Sequence, residues 1–277
     1  MLGRNLQYSL NKKSFSSLNV VVIGGSRGLG LGFVEDYLSQ GHKVLATYRD
    51  NGRAEGLMAL KKTYPHTLKL SELEIRDYEA IKRLNEKFET TIDILIVNAG
   101  IMLCPSGSQP LTETVDEMRQ TFEVNTFAPD QIMRELFPKL LNTHSCAVYL
   151  SSTLSSFADN YKGRYQSYRA SKAAGNIIFQ NWNIQLAKEW LEKDGGVDER
   201  PCAFAISPGV VQTDMGGPTS PLTVKESVSG MVKVIAEVRK NKHSSLYLYD
   251  GSILQQFPVP EIIRSKINDL ELLAPKF

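Results

Sequence analysis

The chain has 277 residues, a hydrophobic fraction of 42% and a formal net charge of +2, enough apolar side chain for one substantial core in a single domain. Near-balanced charge provides no basic field for nucleic acid, and no apolar run reaches the roughly 20 residues that span a bilayer. Cys104, Cys146 and Cys202 are odd in number, widely separated and without metal-ligand spacing, so neither a disulfide framework nor a metal site is expected and a reducing compartment fits.

Residues 1–17 carry Arg4, Lys12 and Lys13 but no acid, the first acid being Glu35. Such a composition resembles a transit peptide, yet Leu2, Leu6, Tyr8, Leu10 and Phe15 form no sustained helical stripe. The expectation is an N-terminal extension preceding one domain over residues 18–277, in a cytoplasmic protein; an organelle is the alternative.

The domain begins with an apolar run from Leu18 to Ile23, a turn Gly24-Gly25-Ser26-Arg27-Gly28-Leu29-Gly30, a helix to about Gln40 and a strand from Lys43 to Thr47. Further strands are predicted at Thr67 to Leu70, Ile92 to Val97, Ser145 to Leu150, Cys202 to Ile206 and Ser245 to Leu248, with helical segments between them. Alternating α and β with apolar strands predicts an α/β fold: a doubly wound parallel sheet with helices on both faces. Cys146 and Cys202 fall in strands and read as core residues, whereas Cys104 falls in a loop near the prospective site.

Ligands of such sheets bind at the carboxyl ends of the strands. Gly24 follows the first strand, Arg49 the second, Asn98 the fourth, Ser151 and Ser152 the fifth, and Pro208-Gly209 the sixth. One crevice should gather them all. Gly24, Gly28 and Gly30 have the spacing G-x-x-x-G-x-G between a strand and a helix, where backbone can approach a pyrophosphate and helix amides can face its charge. Tyr168 and Lys172 are four residues apart on one helix face. An ammonium beside a phenol favours the tyrosinate and lowers a pKa that starts near 10, which suits Tyr168 to proton transfer.

Taken together, the glycine turn, Asn98-Ala99-Gly100, Asn125, Ser151-Ser152, Tyr168-x-x-x-Lys172, and Pro208-Gly209 with Thr213-Asp214-Met215 resemble the short-chain dehydrogenase/reductase family. Ala46-Thr47-Tyr48-Arg49, Pro221-Leu222-Thr223, Ser227-Val228-Ser229-Gly230 and Tyr249-Asp250-Gly251 are similar to its sniffer and C-factor group of carbonyl reductases. The resemblance implies a single-domain Rossmann-type fold, NADP(H) as cofactor, a small-molecule carbonyl as substrate and a homodimer as a frequent assembly. It implies a catalytic set of Ser152, Tyr168, Lys172 and Asn125, with Ser155 the alternative hydroxyl. Cofactor contacts are implied for Gly24, Ser26, Arg27, Gly28, Leu29 and Gly30. Others are implied for Arg49, Glu74, Ile75, Asn98, Ala99 and Gly100, and, beside Tyr168 and Lys172, for Pro208, Gly209, Val211 and Thr213.

Ile23 and Val97 depart from the family's threonine and first asparagine, both of which brace the cofactor turn, and Glu74 stands in place of the usual aspartate. Arg49 and Arg27 suit a 2′-phosphate, although Asp50 could still reach a ribose diol. Substrate identity is not legible. The rival function is an NADP(H)-binding regulatory protein that acts through a partner with little turnover. For assembly, Ile178, Phe179 and Trp182 present more apolar surface than one sheet-facing stripe needs, which favours a homodimer through the helices near Glu117 to Leu141 and Tyr165 to Leu191.

Overall fold

The computed structural model describes residues 17–87, 90–103 and 112–255. Cys104, the leader up to residue 16 and the tail from 256 lie outside the described residues.

Seven parallel strands form the sheet: β1 Asn19–Ile23, β2 Lys43–Tyr48, β3 Leu68–Glu72, β4 Ile94–Val97, β5 Cys146–Leu150, β6 Cys202–Ser207 and β7 Leu246–Leu248. Their spatial order is β3-β2-β1-β4-β5-β6-β7. Each predicted strand is present within one or two residues. The period of two distributes the apolar residues to two cores: Val20 and Val22 of β1 face one, Val21 and Ile23 the other. Burying a side chain of this size contributes roughly 1.5–3 kcal/mol, so both faces must be covered.

Helices α1 (Gly28–Ser39), α2 (Glu55–Thr63) and α7 (Val224–Asn241) cover the first face through Phe33, Val34, Leu57, Met231 and Ile235. The second is covered by α3 (Tyr78–Glu86), α5 (Ala128–Leu140) and α6 (Gln166–Glu192), through Ile81, Leu84, Ile132, Met133 and Phe179. Cys146 and Cys202 are in-register neighbours on β5 and β6, both free and buried, as the core reading expects.

The segment expected to be one helix from Glu117 to Leu141 is interrupted. Helix α4 (Val115–Phe122) passes through a π-turn at Glu123–Phe127 before α5 begins. Such turns break the regular i→i−4 ladder and often mark functional positions. The π-turn carries Asn125.

The apolar residues of α6 are divided between the second core and solvent. Phe179 is buried in the second core, Ile178 and Trp182 pack against it, and the Trp182 indole N–H donates to Asp130 at 2.9 Å. These residues serve the fold and not a surplus surface. The apolar residues that α6 leaves exposed are Ile177, Ile184 and Leu191, seven residues apart along one stripe.

Candidate active site

Because β1 lies between β2 and β4, the segments leaving β1 and β4 diverge at the carboxyl edge and open a crevice there. The resulting cleft encloses about 770 Å³. Gly24, Ser26, Arg27, Gly28 and Leu29 form one wall, and Asn98, Ala99, Gly100, Tyr168, Lys172, Pro208 and Thr213 line the other end. At the far end are Arg49, Glu74 and Ile75, joined by Arg53 and Arg76, two cations that motif reading missed.

The glycine turn is braced from both neighbouring strands. Gly24 has a φ of +82°, and a Cβ there would lie 3.0 Å from Ala99, so a side chain is excluded by conformation and by space. At Gly30 a Cβ would come 2.0 Å from the Gly24 carbonyl oxygen, which is why this turn can fold tightly onto α1. The Gly24 N–H donates to Thr47 Oγ1 at 2.9 Å, and Asn98 Nδ2 donates to the Gly24 carbonyl at 2.7 Å. Thr47, buried on β2, thus supplies a brace that Ile23 cannot. The sequence contained Thr47, but only the β1–β2 pairing makes it a partner of the turn.

Asp50 lines the cleft, and its Oδ1 accepts the Gly52 N–H at 2.9 Å, capping the short turn after β2. Arg76 forms a two-pronged pair with Glu74, with N···O distances of 3.2 and 3.1 Å. That pair, with help from Arg49, holds the Glu74 carboxyl below its ordinary range. Arg27 pairs with Asp214 across the cleft, tying the glycine turn to the segment after β6.

At the inner end, Lys172 is 3% exposed, and its Nζ donates to the Leu150 carbonyl at 2.7 Å. Burial pulls its pKa down to about 7. The ammonium is 5.8 Å from the Tyr168 ring centroid, one helical turn away, and 4.7 Å from that of Tyr149. Asn125 is buried beside them; its amide donates to the Ile101 carbonyl at 2.8 Å and accepts the Ile101 N–H at 2.8 Å. Asn125 therefore fixes the segment after β4 against the helices. Helix α6 starts at Tyr165, whose φ of 61° is left-handed, and Glu113 accepts the Ser167 N–H at 2.8 Å where a helix terminus needs an acceptor.

The crowded hydroxyls separate into two groups. Ser151 donates to Asn176 Oδ1 at 2.6 Å; Ser155 accepts from Asn176 Nδ2 at 2.9 Å and donates to the Ser152 carbonyl at 2.7 Å. Both are spent on holding the loop to α6. Ser152 is half-buried, and its Oγ accepts the Leu154 N–H at 3.1 Å, which leaves the hydroxyl hydrogen for another acceptor. Ser151 contributes to the cleft wall, with Ser152 directly after it. Asn176 was not anticipated, although its position two turns after Tyr168 on the same helix face was readable.

Val211 is buried and bridged to Leu222 in the loop that carries Thr213. Gly209 has a φ of +78°, and a Cβ there would meet Leu222 at 2.7 Å.

Residues 18–221 match the family model described as short chain dehydrogenase. The chain belongs to the short-chain dehydrogenase family. The Sniffer carbonyl reductase of Drosophila melanogaster superposes with a TM-score of 0.78 at 25% identity, over 86% of this chain and 99% of that one. A carbonyl reductase from Pseudomonas aeruginosa in complex with NADP gives a TM-score of 0.73 at 29% identity, over 87% of this chain and 100% of that one. C-signal of Myxococcus xanthus is 30% identical, over 58% of this chain and 90% of that protein. In this short-chain dehydrogenase the departures at Ile23 and Val97 leave the glycine turn held through Thr47 and Asn98.

Proposed function

We propose that this short-chain dehydrogenase reduces ketone, aldehyde or quinone carbonyls with NADPH. The observation that carries the reading is the buried Lys172 ammonium beside Tyr168, at the inner end of a cleft whose outer end holds Arg49, Arg53 and Arg76. The residues fit the cofactor. Gly24, Gly28 and Gly30 leave backbone room for a pyrophosphate, and Arg49 and Arg53 suit a 2′-phosphate better than a bare ribose diol, while Arg76 is paired with Glu74. The NADP complex of the Pseudomonas aeruginosa carbonyl reductase supports the same choice.

Bound in this cleft, NADPH supplies the hydride. Tyr168 gives its phenolic proton to the carbonyl oxygen as negative charge develops there. Ser152 donates its free hydroxyl hydrogen to the same oxygen, a contact that strengthens as that charge grows. Lys172 would hold the nicotinamide ribose and, when charged, favour the tyrosinate left as Tyr168 gives up its proton. Asn125 keeps the segment after β4 in register with both. Pro208 and Thr213 would border the nicotinamide, and Ile75 would face the adenine, from their places in the cleft lining.

The test is NADPH fluorescence decay with a panel of quinones, ketones and aldehydes. Saturable turnover is expected in the wild type, and Tyr168→Phe should lose about 100-fold or more while still binding NADPH. Binding without turnover on any carbonyl would favour the regulatory alternative; Tyr168→Phe activity within severalfold of wild type would refute the assigned proton donor.

A further inference from the structure

Tyr149 is fully buried on β5, two residues before the serine pair. Its hydroxyl donates to the Asn125 carbonyl at 2.6 Å, within the π-turn that breaks the α4–α5 ladder. One face of its ring is stacked on Phe179 at 4.9 Å, and the Lys172 ammonium lies 4.7 Å from the ring centroid. Helix α6 makes room for this side chain at Gly175, where a Cβ would stand 2.4 Å from the phenol carbon and oxygen. Glycine inside a 27-residue helix is a poor helix former, and the close approach of Tyr149 accounts for it.

We propose that Tyr149 is a positioning residue of the proton path, its hydroxyl pinning the turn that carries Asn125 and its ring seating Lys172 in the charged form. This rests on the reading of Tyr168 and Lys172 as the reductase pair. Tyr149 itself reaches neither substrate nor cofactor; it acts through those two neighbours. Two constraints are met by one side chain. A π-turn disturbs the backbone ladder, and a buried carbonyl without a partner is costly, so the Tyr149 hydroxyl satisfies the group that the turn would strand. Burial also pushes the Tyr149 phenol well above its ordinary pKa, so it stays a neutral donor at every working pH. The ring, in turn, offers its negative face to an ammonium that has lost its water. The titratable group on the other side of Lys172 is Tyr168; Leu150 contributes a carbonyl, and Asn125 a neutral amide.

The test follows Lys172 directly, by NMR of the full chain carrying lysine labelled at Cε, with the Lys172 signal identified by its loss in Lys172→Met. Tyr149→Phe keeps the ring and the fold, and the Lys172 pKa should stay within about 0.3 unit of wild type. Pentafluorophenylalanine at position 149 keeps the ring's shape but reverses the charge of its face, and the pKa should fall by about one unit. With a quinone substrate, Tyr149→Phe should lower kcat roughly tenfold, through misplacement of Asn125, while the KM for NADPH moves less than about threefold. A Lys172 pKa indifferent to fluorination, with turnover that merely follows the melting temperature, would overturn the proposal. A wild type that binds NADPH but reduces no carbonyl would instead overturn the reductase reading, and the Lys172 titration would still decide the role of the ring.

Discussion

Raising the pH should weaken NADPH binding through a single group. Lys172 is buried, and its pKa in the cofactor-free protein lies at about 7. A ribose hydroxyl held by Nζ favours the charged amine, so the pKa rises on binding. Below about pH 7 the lysine is already charged and affinity should be flat; above it each binding event takes up a proton, and the apparent Kd grows about tenfold per pH unit. From about pH 7 to about pH 9 the weakening is roughly fiftyfold, because half of the protein is still charged at the lower limit. A 2′-phosphate, with its second pKa near 6, stays dianionic throughout that window and adds no slope. Fluorescence titration with NADPH measures the effect, and Lys172→Met provides the flat control. Thermal melts of the cofactor-free protein give the opposite sign: the unfolded lysine, with a pKa of about 10.4, binds the proton that the folded one has lost, so this group adds stability as pH rises through 7. A wild-type Kd constant within about threefold across the window, or the same slope in Lys172→Met, would refute the argument.

Arg49→Asp should shift preference from NADPH toward NADH by roughly tenfold or more, from the loss of a charge-assisted contact of about 1.5–3 kcal/mol; equal changes in both Kd values would remove Arg49 as the discriminator. Thr47→Val keeps the shape but deletes the acceptor of the Gly24 N–H, and calorimetry should find NADPH binding weaker by about 1–2 kcal/mol with the secondary structure intact. Gly175→Ala drives a methyl group into the Tyr149 phenol, and urea unfolding should register a net loss of about 1–3 kcal/mol despite the better helix propensity of alanine. The stripe Ile177, Ile184 and Leu191 is proposed to pair with a second copy of the chain; light scattering should report a dimer that Ile184→Glu splits, and a monomeric wild type at micromolar concentration would dismiss it.

The strands, the two-sided sheet and much of the cleft's lining were legible in the chain alone. Those features follow from local rules: the apolar period of two in β1, the backbone freedom needed at Gly24, the four-residue spacing of Tyr168 and Lys172, and the habit of parallel sheets to bind at their carboxyl edge. Roles for Asn125 and Ser152 came from family resemblance, since nothing within a few residues of either distinguishes it from an ordinary polar side chain. Tertiary structure decided the rest, because a hydrogen bond's partner is set by which strands are neighbours and by where each side chain points. Thr47 can brace Gly24 only because β2 pairs with β1, and Asp50 caps a turn that its own backbone creates. Ser151 and Ser155 both hydrogen-bond to Asn176, a partnership set by where β5 and α6 meet. Which stripe α6 buries is likewise set by its packing: Phe179 lies in the second core with Ile178 and Trp182 against it, and Ile177, Ile184 and Leu191 are left outside. Tyr149 read as one more apolar strand residue. Its hydroxyl found the Asn125 carbonyl, and its ring the Lys172 ammonium, only when β5, the π-turn and α6 closed around it.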